Sequence, residues 1–400
     1  MQHKFKTKEA YTSVIITIIL AYVFLKIYRN SINYTDTTQG GIWNIFLVFL
    51  MFLGIISIVR YKFILRIGPT TVAFIYTFVV WLNGILTFSI KDLSSAYGLI
   101  VAPCFAVIFI LIYNCADDFS EKTMNYWFLG WFFILLLLLY TYISFFSQYQ
   151  YYESGEHIAL NNSYYAACAM PFFIRKKSFK GLLLTLLSVL VVFISNKRAG
   201  LIAIILGFLC YYYCDSKLKG TSGKALKSIV GGFVALCILS IFFIRIDSKY
   251  NLNIYSRLFQ LVKDGGSGRV TIYQFVWNEI KNSSLYELMF GHGVYSIGNM
   301  EIQISSAHSD FLNILYEYGI FAFIFLVQFY FSLFKIFKRM MISKYKHSAE
   351  FVFSIVVSLI FSFFSANLDN QSFSIVLATY WAFEQSQWNK TLSIDSATDM

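Results

Sequence analysis

Apolar residues run through this chain in unbroken blocks of roughly 20, and a helix of that length, rising about 1.5 Å per residue, crosses a hydrocarbon core about 30 Å thick. Barrel strands would instead alternate apolar and polar positions over about ten residues, and these blocks do not alternate. Helices also satisfy every backbone N–H and C=O internally, as lipid requires. Hydrophobic residues make up 58% of the chain and charged residues 13%. Soluble domains carry about 25% charge and about 45 to 50% apolar residues. The expected fold class is therefore all-α, a polytopic integral membrane helix bundle.

Twelve blocks are expected to span, at about 11–28, 41–59, 69–90, 97–113, 126–147, 157–174, 181–195, 199–214, 226–244, 309–334, 351–366 and 372–383. Short cytoplasmic loops carry excess Lys and Arg, which orients the set. With the N-terminus inside, the inner segments hold Lys4, Lys6 and Lys8, then clusters at Arg60 to Arg66, Arg175 to Lys180, Lys217 to Lys227 and Lys335 to Lys346, with Lys122 and Lys390 alone. That places 21 of the 32 Lys and Arg inside and 11 outside, and both termini in the cytoplasm. The net charge of +11 is thereby explained by topology, and nucleic acid is not an expected partner. The first block follows three lysines without a small-residue cleavage pattern, so it reads as a retained helix. The six cysteines lie in or beside apolar blocks with no CxxC pair, which argues against a disulfide framework or a cysteine metal site.

No internal repeat and no separate soluble domain is evident, so residues 1–400 read as one membrane domain. One connection is out of proportion: 245–308 forms a long outside loop, and long loops are usually functional or disordered. Ile272, Phe275, Val276 and Ile280 recur at helical spacing within it. That pattern predicts an amphipathic helix over 270–281 lying on the membrane surface, preceded by a Gly265-Gly266-Ser267-Gly268 hinge.

Three features of the outer face could carry chemistry. Ser195-Asn196-Lys197-Arg198-Ala199-Gly200 is a tight turn whose paired cations break the positive-inside trend; Lys197 and Arg198 are either a snorkelling interfacial pair or an anion site. Gly268-Arg269 opens the amphipathic helix, where backbone N–H groups favour an anion, although a solvated arginine needs no such role. Third come Phe290-Gly291-His292-Gly293 and the run Ser305-Ser306-Ala307-His308-Ser309-Asp310. Ser306 is a candidate N-cap that would put His308 in the first turn of the tenth span, as a structural or a catalytic histidine. Asp310, Asn313 and Glu317 then form one polar stripe, which should face the bundle interior or a water-filled cavity. His157, His292 and His308 lack the spacing of a zinc site.

These pieces, in this order and with this topology, resemble the O-antigen polymerase and ligase family, the Wzy-type membrane enzymes acting on undecaprenyl-diphosphate-linked sugars. The matching segments are Ser195 to Gly200, Gly268-Arg269, Phe290 to Gly293, Ala307-His308-Ser309-Asp310-Phe311-Leu312 and Glu317-Tyr318-Gly319-Ile320. Ser309 stands where relatives often carry Asn. The resemblance implies a surface-polysaccharide polymerase for capsule, exopolysaccharide or O-antigen in the bacterial plasma membrane. A ligase is the nearest alternative, and a flippase for lipid-linked oligosaccharide is the rival from another class. It also implies glycosyl transfer on the outer face without cofactor or metal, with other assembly proteins such as a flippase and a chain-length regulator as partners. In that reading Arg198, Arg269 and Lys197 bind the diphosphate, His308 handles the acceptor proton, and Asp310, Asn313 and Glu317 support it. Tyr149, Tyr151, Tyr152, Tyr295 and Trp277 read either as an aromatic belt or as stacking faces for sugars.

Overall fold

A chain this apolar must satisfy its backbone within each segment, and the computed structural model does so with helices alone among the described residues. Those are residues 2–32, 45–46, 48–54, 56, 68–87, 106–114, 121–148, 162–195, 197–220, 245, 269–294, 296–300, 307–365 and 373–398. In chain order they form α1 (Gln2–Ile32), α2 (Pro69–Leu86), α3 (Glu121–Gln148), α4 (Ser163–Arg175), α5 (Phe179–Ile194), α6 (Arg198–Leu218), α7 (Arg269–Asn282), α8 (Leu285–Phe290), α9 (Asp310–Ile342), α10 (Ser348–Phe364) and α11 (Ser374–Thr398). Three of them, over Glu121–Ser144, Arg198–Leu218 and Asp310–Ile342, are long and apolar enough to cross a membrane by length and composition, and shorter apolar helices accompany them. The expected block at 226–244 lies outside the described residues, as do 246–268 and 301–306 of the long loop.

The bundle is organised around α4, whose residues 163–173 are all buried. Its aromatic side chains meet three of its neighbours. Phe172 packs on Trp127 of α3 at 5.1 Å and on Tyr380 of α11 at 5.0 Å, and Tyr164 packs on Phe361 of α10 at 4.3 Å. Such pairs contribute about 0.5 to 1.5 kcal/mol each beyond simple burial. Pro171 sits inside α4, where neighbouring helices make a proline tolerable in a membrane.

Among the described residues α6 and α10 share the most extensive helix–helix packing, and small residues permit it. A Cβ on Gly207 would stand 2.9 Å from the Phe353 ring. On α10, Ser354, Ser358 and Ser362 recur every fourth residue and are fully buried. Each finds a polar partner: Trp381 Nε1 donates to Ser354 at 2.8 Å, and the Tyr330 hydroxyl bonds Ser358 at 2.9 Å and also meets Ser362. Paired hydroxyls of this kind bind helices together where lipid offers no partner.

At one end of the bundle, Arg175 ends α4 in an ion pair with Glu384 of α11. Tyr345 donates to the same carboxylate at 2.9 Å, and the Arg175 guanidinium lies 4.8 Å over Phe383. Glu384 is fully buried, so removing its cation strands a charge, which costs about 3 to 5 kcal/mol. Arg175→Ala is therefore expected to lower the detergent melting temperature sharply. Arg175→Met combined with Glu384→Leu should cost less than that single change, and equal losses would contradict this assignment.

Candidate functional site

The opposite end of the bundle brings together the N-termini of α4, α6, α7 and α9 with the C-terminus of α10. Lys197 is the extended residue at the head of α6 and Arg198 its first helical residue, both half-buried. Arg269 is the first residue of α7, as expected.

His308 departs from its expected place. The helix begins at Asp310 with Ser309 as N-cap residue, so His308 precedes the first turn instead of lying in it. Its φ of 54° is left-handed, a conformation non-glycine residues adopt only when their surroundings impose it. Those surroundings are visible on both sides. The buried Ala307 N–H donates to Asn313 Oδ1 at 2.8 Å, which holds the incoming chain. The Tyr273 hydroxyl on α7 lies 3.3 Å from the His308 carbonyl oxygen and 2.9 Å from that of Phe363, so one side chain ties α7 to His308 and to the end of α10.

Burial, then the cations of Arg269 and Lys197, push the His308 imidazole down to about 4. Two cations separated by some seventy residues of sequence thus converge on one neutral histidine. Arg198 adjoins Lys197 at the head of α6. Arg269 also acts on Tyr164, whose hydroxyl bonds Ser365 at 2.8 Å. A neutral imidazole can accept a proton, whereas its charged form cannot.

The sign of the pH dependence follows. His308 stays neutral until pH falls to about 4, so kcat/KM, which reports the free protein, should hold through neutral and mildly acidic pH and fall only near about 4. Lys197→Gln removes one of the opposing cations, raises the imidazole pKa and moves that acid limb to higher pH. An unmoved limb in pH–rate profiles of the two proteins would contradict the electrostatic coupling.

The polar stripe is buried as expected: Asp310 is 0% exposed, Asn313 1% and Glu317 3%. Ser362 donates to Asp310 Oδ2, and Tyr330 contacts Ser362 in turn. The stripe ends where α9 breaks, because Gly319 has φ 78° and ψ −176° inside the helix. That break leaves the Tyr316 and Glu317 carbonyls without their usual helical donors. The Phe290-Gly291-His292-Gly293 turn supplies them, with His292 N–H donating to Tyr316 O at 2.9 Å and Gly293 N–H to Glu317 O at 3.0 Å. The His292 ring stacks on Tyr316 with centroids 4.0 Å apart, and its Nδ1 sits 3.1 Å from the same carbonyl. Asn83 of α2 donates to the Phe290 carbonyl. The histidine of this turn is thus committed to holding the break in α9. Broken helices inside membrane proteins recur where polar backbone is needed in a bundle interior.

The helix expected over 270–281 forms, and part of its apolar face is covered by protein. Its buried residues Val276 and Ile280 form a cluster with Ile297, Ala307 and Tyr316, so α7 is seated on the N-terminal segment of α9. That contact carries Arg269 toward His308. Trp277 stays exposed, with Lys281 Nζ 5.9 Å from its ring centroid. His157, Tyr149, Tyr151, Tyr152 and Tyr295 lie outside the described residues.

Sequence reasoning missed Tyr273, although it stands one helical turn after Arg269 and shares its face. It also missed Tyr164, Tyr330 and Ser362, which look like ordinary residues of apolar blocks.

Compared with known families, residues 183–327 match the model of the O-antigen ligase family, in agreement with the resemblance seen in the motifs. The match contains all of them, from Ser195 to Ile320. No curated protein matches the chain. The match covers 145 of the 400 residues, and the apolar helices within and beside it fit an integral membrane protein similar to that family.

Proposed function

We propose, from the premise that residues 183–327 match the O-antigen ligase family, that this chain polymerises undecaprenyl-diphosphate-linked oligosaccharide repeat units. It does so at the outer face of the bacterial plasma membrane, building capsule, exopolysaccharide or O-antigen. The observation that carries the reading is the convergence of Arg269 and Lys197 on a neutral His308 at one end of a membrane bundle.

In the reaction, an acceptor sugar hydroxyl attacks the anomeric carbon of the growing glycan. A new C–O bond forms as the bond to the lipid diphosphate breaks, and its electron pair leaves on the diphosphate oxygen. The hydroxyl proton passes to the His308 imidazole and then returns to water. Arg269, Arg198 and Lys197 stabilise the departing diphosphate; guanidinium groups bind phosphate oxygens bidentately, and their fixed charge supplies what a divalent metal could otherwise supply. Asn313 holds the chain entering His308 and Asp310 anchors the start of α9, while Glu317 closes the buried stripe at the break.

The topology proposed is one membrane domain of twelve spans, with both termini in the cytoplasm and 245–308 outside. Polyprenyl tails lie against the lipid-facing helices, and a flippase and a chain-length regulator supply and limit the substrate. The description of the matched family supports a second reading, a ligase that transfers finished glycan to a different acceptor.

Purified protein in liposomes given lipid-linked repeat units alone, without nucleotide sugars, tests the choice. A ladder of longer lipid-linked glycans supports the polymerase. Transfer only to an added heterologous acceptor favours the ligase.

A further inference from the structure

We infer that Tyr273 is a positioning residue for His308, acting through the backbone of that histidine; this rests on the proposed role of His308. Its one hydroxyl proton is shared between the Phe363 carbonyl at the open end of α10, at 2.9 Å, and the His308 carbonyl at 3.3 Å. The last carbonyls of a helix have no partner within it, so the Phe363 contact anchors the phenol to the rigid bundle. From that anchor, the hydroxyl reaches the one residue of the 307–309 turn that is left-handed.

Tyr273 also stands one turn after Arg269, and four-residue spacing puts the two on one face of α7. The guanidinium is close enough to oppose the upward push that burial exerts on the phenol. A single side chain therefore fixes the spacing between the cation that would hold the diphosphate and the imidazole that would take the proton. Misplacing either by about 1 Å can cost about 100-fold in rate, so the phenol is expected to matter for turnover more than for affinity. Both carbonyl contacts are made by the hydroxyl, so a phenyl ring in its place keeps the packing and loses only them.

Tyr273→Phe removes the hydroxyl and keeps the ring. The expected result in the liposome assay is a fall in kcat of about tenfold, corresponding to loss of one ordinary hydrogen bond in the transition state. KM for the lipid-linked donor and the melting temperature should stay at native values. Native kcat in Tyr273→Phe, alongside loss of elongation in His308→Ala, would overturn the inference and leave the reading of His308 intact. A raised KM or lowered melting temperature at native kcat would make the phenol a mere docking contact for α7 and overturn it equally. Native turnover in His308→Ala would remove the role of His308, and that of Tyr273 with it.

Discussion

Arg269→Ala and His308→Ala are each expected to bring glycan elongation near the limit of detection while leaving the bundle folded. Both residues sit in the loop-and-terminus end of the molecule, outside the α4-centred core. A positioned proton acceptor contributes about 10² to 10⁴ in rate, and a preorganised charge aimed at a departing anion about 10² to 10³. Arg269→Lys should recover only part of the loss, because an ammonium cannot bind two phosphate oxygens in one plane. Gel-resolved product ladders from liposomes measure both effects, with melting curves to establish folding. Full elongation by folded Arg269→Ala would contradict the role of this cation.

Gly291→Ala and Gly319→Ala should be the most damaging changes to the fold in this part of the chain. Both glycines are left-handed, at φ 80° and 78°. A Cβ on Gly291 would overlap the Glu317 carbonyl, and one on Gly319 the Met289 carbonyl. Left-handed backbone costs a residue with a Cβ about 1 to 2 kcal/mol, before any overlap with backbone that cannot rotate away. The total should exceed about 4 kcal/mol, in the range that single substitutions seldom reach. Each variant is expected to yield little monodisperse protein in detergent, and what is recovered should melt well below the native chain. A native melting curve for Gly319→Ala would mean that the break in α9 is not required.

The sequence revealed the membrane class and the order of the site motifs, because both are one-dimensional signals. Apolar block length and the spacing of Asp310, Asn313 and Glu317 can be read without knowing any contact, and all three side chains are buried. The break in α9 was hidden because a single glycine in a helical pattern is ordinarily tolerated. Only the facing turn, some 25 residues earlier, makes Gly319 adopt a conformation the helix would refuse. His308 was placed three residues too far into its helix because Ser306 and Ser309 are both acceptable caps, and Asn313 reaches back to hold Ala307 outside the helix.

The seating of α7 was illegible for a different reason. An apolar helical face reports that something covers it without saying whether lipid or protein does so. Here Tyr316 and Ala307 cover part of it, and the same contact brings Arg269 within electrostatic reach of His308. Lys197 stood out as a cation against the expected positive-inside trend, yet its approach to His308 is a tertiary fact.

Glycan is proposed to leave a lipid diphosphate at this site, and the most direct measurement counts that leaving group. Liposomes containing the protein and purified lipid-linked repeat units would be sampled over time, with free undecaprenyl diphosphate and glycosidic bonds quantified by mass spectrometry. One undecaprenyl diphosphate released for each repeat unit joined is the predicted result, with none released by His308→Ala. Lipid-linked sugar that crosses the bilayer without lengthening and without releasing its diphosphate would contradict the account and point to a flippase.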